Sequence, residues 1–298
     1  MPEQSGLAGS EAPFEEPFEQ PLGTRSEAQS KTQSEKQTET QSETQPNPQS
    51  SSGIGPDHEP PWWPGLASDT EASSEPGSPA RPFGATSAPA EAGRPPQPVL
   101  DGLWAFAPNR DCQGGTAWWL ERAEGALLID CPAYTAANLA FLRERPAGML
   151  LLTSREGHGR ARRFQEALGW PVLVQEQEAY LLPGVQQLQT FGDELALSPG
   201  LRLLWTPGPT PGACVLHASG EPDVLFCGRL LSPTAPGAAA PLPTARSFHW
   251  GRWQRSLKKL KAWLPQGSPR WIASGAGLGA LAGEKLIGPG RPLLDGLE

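Results

Sequence analysis

The stretch MLLLTSREGHG at residues 149–159 constrains this chain more than any other. Met149, Leu150, Leu151 and Leu152 form a short apolar run that gives way at Thr153 and Ser154 to a polar loop, Arg155-Glu156-Gly157-His158-Gly159. A helical pattern follows over residues 160–168. An apolar run of that length fits a buried strand. A buried strand that empties into a Gly-bearing polar loop and then a helix is a unit of an α/β fold, and its loop is a common place for chemistry.

The 298 residues are of two kinds. Residues 1–97 are built from Glu, Gln, Ser, Thr, Pro and Gly, and hold 15 acidic against 5 basic residues. The remainder holds 17 acidic and 19 basic residues, so the overall charge of -8 belongs to the N-terminal part and says nothing about the partners of the rest. A segment this poor in Ile, Val and Leu cannot offset the entropy of ordering itself. That predicts disorder over residues 1–97 and one folded domain over residues 98–298, and about 200 residues are ample for a single core. Within the N-terminal part, residues 29–49 are of low complexity, and Trp62 beside Trp63 in PPWWP reads either as a short motif for a protein partner or as a segment that folds back.

No run of about 18 apolar residues is present, so no membrane span is expected. The first residues lack the apolar core of a secretion signal and the basic character of a transit peptide, which makes the cytoplasm the expected location. Cys112, Cys131, Cys214 and Cys227 are widely spaced and form no CxxC pair. They read as reduced, buried, small apolar residues rather than a zinc site.

In order, the chain reads as a strand over 100–108, then two strands over 116–121 and 126–130 separated by Glu124-Gly125, a hairpin signal. A helix over 136–145 presents Leu139 and Leu142 on one face, and a strand over 171–175 follows the central unit. Short strands over 185–190, 195–197 and 201–205 precede a rigid Pro/Gly loop, TPGPTPG, at 206–212. Two more strands over 213–217 and 224–227, a small-residue flexible stretch over 235–243, a helix over 250–264, a last strand over 271–273 and a Gly-rich loop over 274–283 complete the pattern. The late helix carries Trp253, Leu257, Leu260 and Leu264 at spacings of 4, 3 and 4.

This order resembles the metallo-β-lactamase fold, and local sequence agrees at several points. Gly114-Gly115-Thr116 looks like the family's Gly-Gly-Asn strand opening, and Leu127-Leu128-Ile129-Asp130 like its apolar strand ending in Asp. Leu151-Leu152-Thr153 matches the strand before its metal loop, TPGPTPG its TPGHTPG loop, and Leu225-Phe226-Cys227-Gly228 the strand before its bridging Asp. The domain is also similar to a group of cyanobacterial proteins of this fold, which share its GGTA, FHW and QEQEAYLLPG-like stretches. The resemblance implies an α/β (α+β) architecture, a four-layer αββα sandwich behind the N-terminal segment.

It also implies two metal ions, held by an HxHxDH loop, a His in the TPG loop, an Asp after the LF-x-G strand and a late His. Here Ser154 stands at the first His position, and the next three fall at Glu156, His158 and Gly159. Pro209 replaces the TPG-loop His, Arg229 the bridging Asp, and residues 274–277, Ala276 among them, supply no late His. A hydrolytic zinc needs about three protein ligands and an open position. Only Glu156 and His158 qualify, and Arg229 adds a permanent cation. The resemblance is therefore to a degenerate member, and neither zinc nor another cofactor is expected.

What remains is weighed residue by residue. Glu156 and His158 are a candidate acid/base pair, or loop residues bonded to backbone or facing solvent. Ser154 is a nucleophile only formally, for it lacks a G-x-S-x-G elbow. Arg155 and Arg229, with Arg160, Glu156, His158 and Thr210, outline a vacated pocket for a carboxylate or phosphate; alternatively Arg229 pairs with Glu156 or Asp130. His217 reads as a strand-edge polar residue and His249 as an aid to the start of the late helix. Arg252, Arg255, Lys258, Lys259 and Lys261 on that helix form a charged outer face, a surface for the acidic N-terminal part, or a nucleic-acid surface. The small net charge of the domain argues against nucleic acid as a partner. The reading favoured by these residues is a non-catalytic protein that binds a small anionic ligand or a protein partner. The alternatives are a hydrolase of thioesters, esters or phosphoesters with residual or no metal, and nucleic-acid binding through the helix at 250–264.

Overall fold

The computed structural model describes residues 89–90 and 93–297. The expected disorder, as far as residue 88, and the Trp62-Trp63 motif lie outside the described residues.

Two sheets face each other. The first has seven strands in chain order: β1 (Gln97–Leu100), β2 (Leu103–Ala105), β3 (Trp118–Arg122), β4 (Gly125–Ile129), β5 (Gly148–Leu152), β6 (Val172–Gln175) and β7 (Leu188–Phe191). It is antiparallel as far as β4 and parallel from β4 to β7. The parallel part needs crossovers. These include α1 (Ala136–Arg143) between β4 and β5, and α2 (Ala161–Leu168) between β5 and β6. Thr135 caps α1 by accepting from the Asn138 N–H, and Gly169 ends α2 in the left-handed conformation at φ 71°.

The second sheet is built from β8 (Glu194–Ser198), β9 (Leu201–Trp205), β10 (Cys214–Ala218) and β11 (Val224–Gly228). The β12 (Ser232–Ala235) and β13 (Ala238–Ala240) hairpin and α3 (Trp250–Trp263) come next. Then β14 (Trp271–Ser274) joins the sheet parallel to β11, giving the order β14-β11-β10-β9-β8, and α4 (Gly290–Gly296) ends the chain.

The strand period sorts the core. Trp118, Leu120, Leu127, Ile129, Met149, Leu151 and Leu173 point to the core between the sheets, which continues through the second sheet to Trp253, Leu257 and Leu260 of α3. Their neighbours Trp119, Ala126, Leu128, Leu150, Leu152, Val172 and Val174 point the other way, into a second core closed by Leu139 and Leu142 of α1 and Phe164 of α2. Strands covered on both faces read as unbroken apolar runs, which is why β4, β5 and β6 do so. The result is a four-layer αββα sandwich. Among the described residues, no helix is long and apolar enough to cross a membrane.

The structure differs from the expected elements at several places. Residues 100–108 are not one strand, because Asp101-Gly102 turns between β1 and β2; Gly102 sits at φ 66° against the Glu121 carbonyl, where a Cβ would stand 2.5 Å away. The small-residue stretch over 235–243 is not simply flexible, since Ala238–Ala240 pairs with β12. His217 is not at a strand edge: β10 is the middle strand of its sheet, and the imidazole is buried against Trp263 and bonded to Asp223 at 2.8 Å.

Leu151 is fully buried between the sheets. Its replacement by Ala is expected to cost about 2–5 kcal/mol, read as a lower urea midpoint with an unchanged slope.

Candidate functional site

The loop that leaves β5 is held by one buried carboxylate. Asp130, immediately after β4, has φ 60° and is almost completely buried. Its Oδ1 accepts the Thr153 N–H at 2.8 Å, and the Thr153 hydroxyl lies 2.9 Å from Oδ1 and 2.7 Å from Oδ2. Glycines crowd the group: a Cβ on Gly157 would stand 2.1 Å from Oδ1, and one on Gly275 would stand 3.0 Å from Oδ2. Burial pushes the Asp130 carboxyl up to about 6, against the opposing pull of the Thr153 bonds and the Arg229 charge.

From this anchor the loop runs through Ser154 into a single 3-10 turn, Arg155–Gly157. Glu156 meets Arg229, which follows β11, with Nε to Oε2 at 3.2 Å and both side chains mostly buried. The same guanidinium donates through Nη2 to the Cys112 carbonyl at 2.7 Å and the Gln113 carbonyl at 3.2 Å. Arg155 points outward, its Nη2 3.5 Å from the Arg246 carbonyl, and Arg246 in turn donates to Gln113 Oε1 at 3.1 Å. Arg155, Arg229 and Arg246 are thus linked through Gln113 and the Arg246 carbonyl, with Glu156 paired to Arg229. Arg160 does not join them, because its guanidinium is turned to Asp111 at 3.0 Å.

His158 faces the other way. Its Nε2 lies 3.8 Å from Oε2 of Glu178, too far for a hydrogen bond, and neither atom has a hydrogen-bonding partner. Glu178 is 1% exposed and keeps its other oxygen on the Gly212 N–H at 3.0 Å. Burial holds its carboxyl above the ordinary range, opposed by nearby Thr210, the Gly212 N–H and Arg155. The Thr210 hydroxyl is close enough to exert that pull without closing a hydrogen bond. Burial, helped by Arg155, pushes His158 down to about 4, so the imidazole is neutral at pH 7.

Of the expected site residues, Arg155, Glu156 and Arg229 come together at the surface, whereas His158 and Thr210 gather around Glu178 in the interior. Ser154 is buried and makes no capping bond. His249 caps α3, its Nδ1 accepting from the Arg252 N–H at 3.3 Å. The four cysteines are free and buried. Sequence reasoning missed Glu178, Gln113 and Arg246. The one available signal was that Glu178 lies two residues after Glu176 in the polar run closing β6, and the 3-10 turn Glu176–Leu181 buries Glu178 while exposing Glu176.

No protein-family model and no curated protein matches the sequence. Solved structures do. The chain superposes on VMB-1 with a TM-score of 0.52 at 14% identity, over 67% of this chain and 92% of that one. For the metallo-β-lactamase DIM-1 the values are 0.51 and 13%, over 70% and 99%. The fold is the metallo-β-lactamase fold. A metallo-β-lactamase from Hirschia baltica is matched at 16% identity over 68% and 95%, with a TM-score of 0.49.

The metal centre that the metallo-β-lactamase fold implies does not fit these residues. Among the described residues, no three or more of His, Cys, Asp and Glu are grouped to hold a metal ion. Asp130 is committed to Thr153, Glu156 to Arg229, and His158 faces Glu178. A guanidinium is a fixed cation with donors only and cannot ligate a metal.

Two buried groups with opposed shifts make the pH dependence of stability diagnostic. Asp130 holds its proton more tightly folded than unfolded, so its contribution is lost as pH rises from about 4 to 6. His158 holds its proton less tightly when folded, so its contribution grows as pH rises from about 4 to 6.5. Each is worth about 3 kcal/mol. Replacing His158 by Gln is expected to tilt the stability profile toward acid, and replacing Asp130 by Asn to tilt it toward neutral pH. Urea midpoints at about pH 4.5 and 6.5 read both tilts, and profiles parallel to that of the unmodified protein would contradict the burial argument.

Proposed function

We propose that this chain is a metallo-β-lactamase-fold protein that binds a small anionic ligand at the mouth of the β5–α2 loop and carries out no metal-dependent hydrolysis. The supporting observation is the ion pair between Arg229 and Glu156, which satisfies the loop carboxylate with a protein cation. Arg155 and Arg246 add two exposed guanidinium groups beside that pair, so cations exceed carboxylates at the mouth. Such groups suit a carboxylate or phosphate, which they bind by charge-assisted hydrogen bonds. The test has two arms on the full chain. After incubation with excess zinc and dialysis, elemental analysis is expected to find substoichiometric metal; one zinc per chain or more would overturn the reading. Citrate and inorganic pyrophosphate are expected to bind by calorimetry and to lose about tenfold or more in an Arg155→Ala, Arg246→Ala variant, as removal of two charge-assisted contacts implies.

A second reading has one observation in its favour. Neutral His158 and Glu178, each with an unpartnered atom, form a candidate proton-transfer pair for a metal-free hydrolase. Hydrolysis of generic thioester, ester or phosphodiester substrates, lost on Glu178→Gln and His158→Ala replacement, would support it. Activity that survives in that variant would rule these residues out as its source.

A further inference from the structure

The helix α3 carries Arg252, Arg255, Lys258, Lys259 and Lys261, and no acidic residue. Three of these cations face one place. Arg252, Arg255 and Lys259, with Ser256 between them, line a cleft of roughly 420 Å³ whose opposite wall is Asp193, Trp205 and Pro207. Positions 252, 255, 256 and 259 follow the i, i+3, i+4, i+7 rule and so make one stripe along the helix.

The stripe works against the helix that carries it. Arg252 and Arg255 are three apart, Arg255 and Lys259 four apart, and like charges at these spacings repel. Arg252 also stands in the first turn, where the helix dipole favours anions. Among the described residues, none of the three cations makes an ion pair. Glu194 on β8 is engaged by Arg202 at 3.8 Å and by the Trp263 Nε1–H at 3.0 Å, which leaves Asp193 as the acid in the lining. The charge pattern therefore costs stability and is unexplained by contacts within the domain.

The walls are fixed. The Ser256 hydroxyl donates to the Pro207 carbonyl at 2.7 Å. Gly208 lies so close to α3 that a Cβ there would stand 2.5 Å from Trp253 Cα. On the facing wall, Trp205 Nε1 donates to the Pro211 carbonyl at 2.8 Å, which ties the indole down. Arg252 lies over the exposed Phe248 ring at 5.6 Å. Cations on one wall and a held indole on the other are prepared before any ligand arrives.

We propose that this cleft binds a nucleoside phosphate, with its phosphates on Arg252, Arg255 and Lys259 and its base against Trp205. Arginine and lysine together suit phosphate oxygens, and an indole suits the face of a heterocyclic base. The size of the cleft and the nearly balanced charge of residues 98–298, with 19 basic against 17 acidic residues, favour a mononucleotide over a long nucleic acid. None of the lining residues belongs to the β5–α2 loop, so this site is separate from the anion-binding mouth proposed above.

Titration of the full chain with ATP, inorganic triphosphate and adenosine at low ionic strength tests this. ATP is expected to bind, to weaken with added salt, and to lose about tenfold or more in an Arg255→Glu, Lys259→Glu variant, whose altered residues are exposed and whose folding is checked by its urea midpoint. Inorganic triphosphate should bind more weakly than ATP, and adenosine should show no binding. Trp205→Leu should weaken ATP but leave triphosphate unchanged, a split that a merely structural role for Trp205 would not produce. The Arg155→Ala, Arg246→Ala variant should bind ATP like the unmodified chain. Absence of ATP binding would overturn the proposal, as would binding lost with Arg155 and Arg246 but kept by the α3 variant, or binding of a 20-nucleotide single strand without binding of ATP.

Discussion

One buried carboxylate joins the parts of this molecule that make it more than two stacked sheets. Asp130 receives the Thr153 N–H and hydroxyl, which fastens the end of β4 to the start of the loop after β5. The Thr153 carbonyl in turn accepts the Cys214 N–H at 2.9 Å, so the same threonine also links the first sheet to β10 of the second. Gly228 of β11 fits against the same threonine, its place for a Cβ 2.7 Å from Thr153 Oγ1. A carboxylate taken out of water is costly unless it is well bonded. Here the bonds come from the element the carboxylate must position, so the cost of burial is coupled to the correct placing of the loop.

That placing brings Glu156 within reach of Arg229, and the pair decides what the end of the sandwich can do. In a site built to hold a dication, an unpaired carboxylate faces the pocket. Here the carboxylate is neutralised by an arginine whose remaining donors rest on the Cys112 and Gln113 carbonyls. Such a network needs no ion to be electrostatically satisfied. Arg155 and Arg246 add two exposed cations near that pair. His158, at a position where the resemblance expects a metal ligand, has turned inward to Glu178 instead.

Much of this was legible before the fold was known. The runs around Leu127, Leu150 and Leu173 announced apolar strands, and the spacing of Trp253, Leu257 and Leu260 announced α3, because the strand and helix periods are local properties. That Ser154, Pro209 and Arg229 stand at the positions where the resemblance expects metal ligands was legible too, since residue identity is written in the sequence itself. Glu178 was not legible. Nothing local separates it from Glu176, and only the 3-10 turn, packed against Gly212 of a distant loop, puts one inside and the other in water. His217 was misplaced for a similar reason, because strand order in a sheet is set by pairing between segments far apart in the chain.

The sequence by itself determined the fold class, most of the strands and helices, and which residue types stand at the positions where the resemblance expects metal ligands. All three follow from residue type and short-range period. The tertiary structure decided which charges meet: Arg229 with a carbonyl 117 positions away, His158 with Glu178, and the α3 stripe with Trp205. Electrostatic and hydrogen-bonding contacts fall off within a few ångströms, and only the packing of the two sheets and their helices brings residues so far apart in the chain within that range.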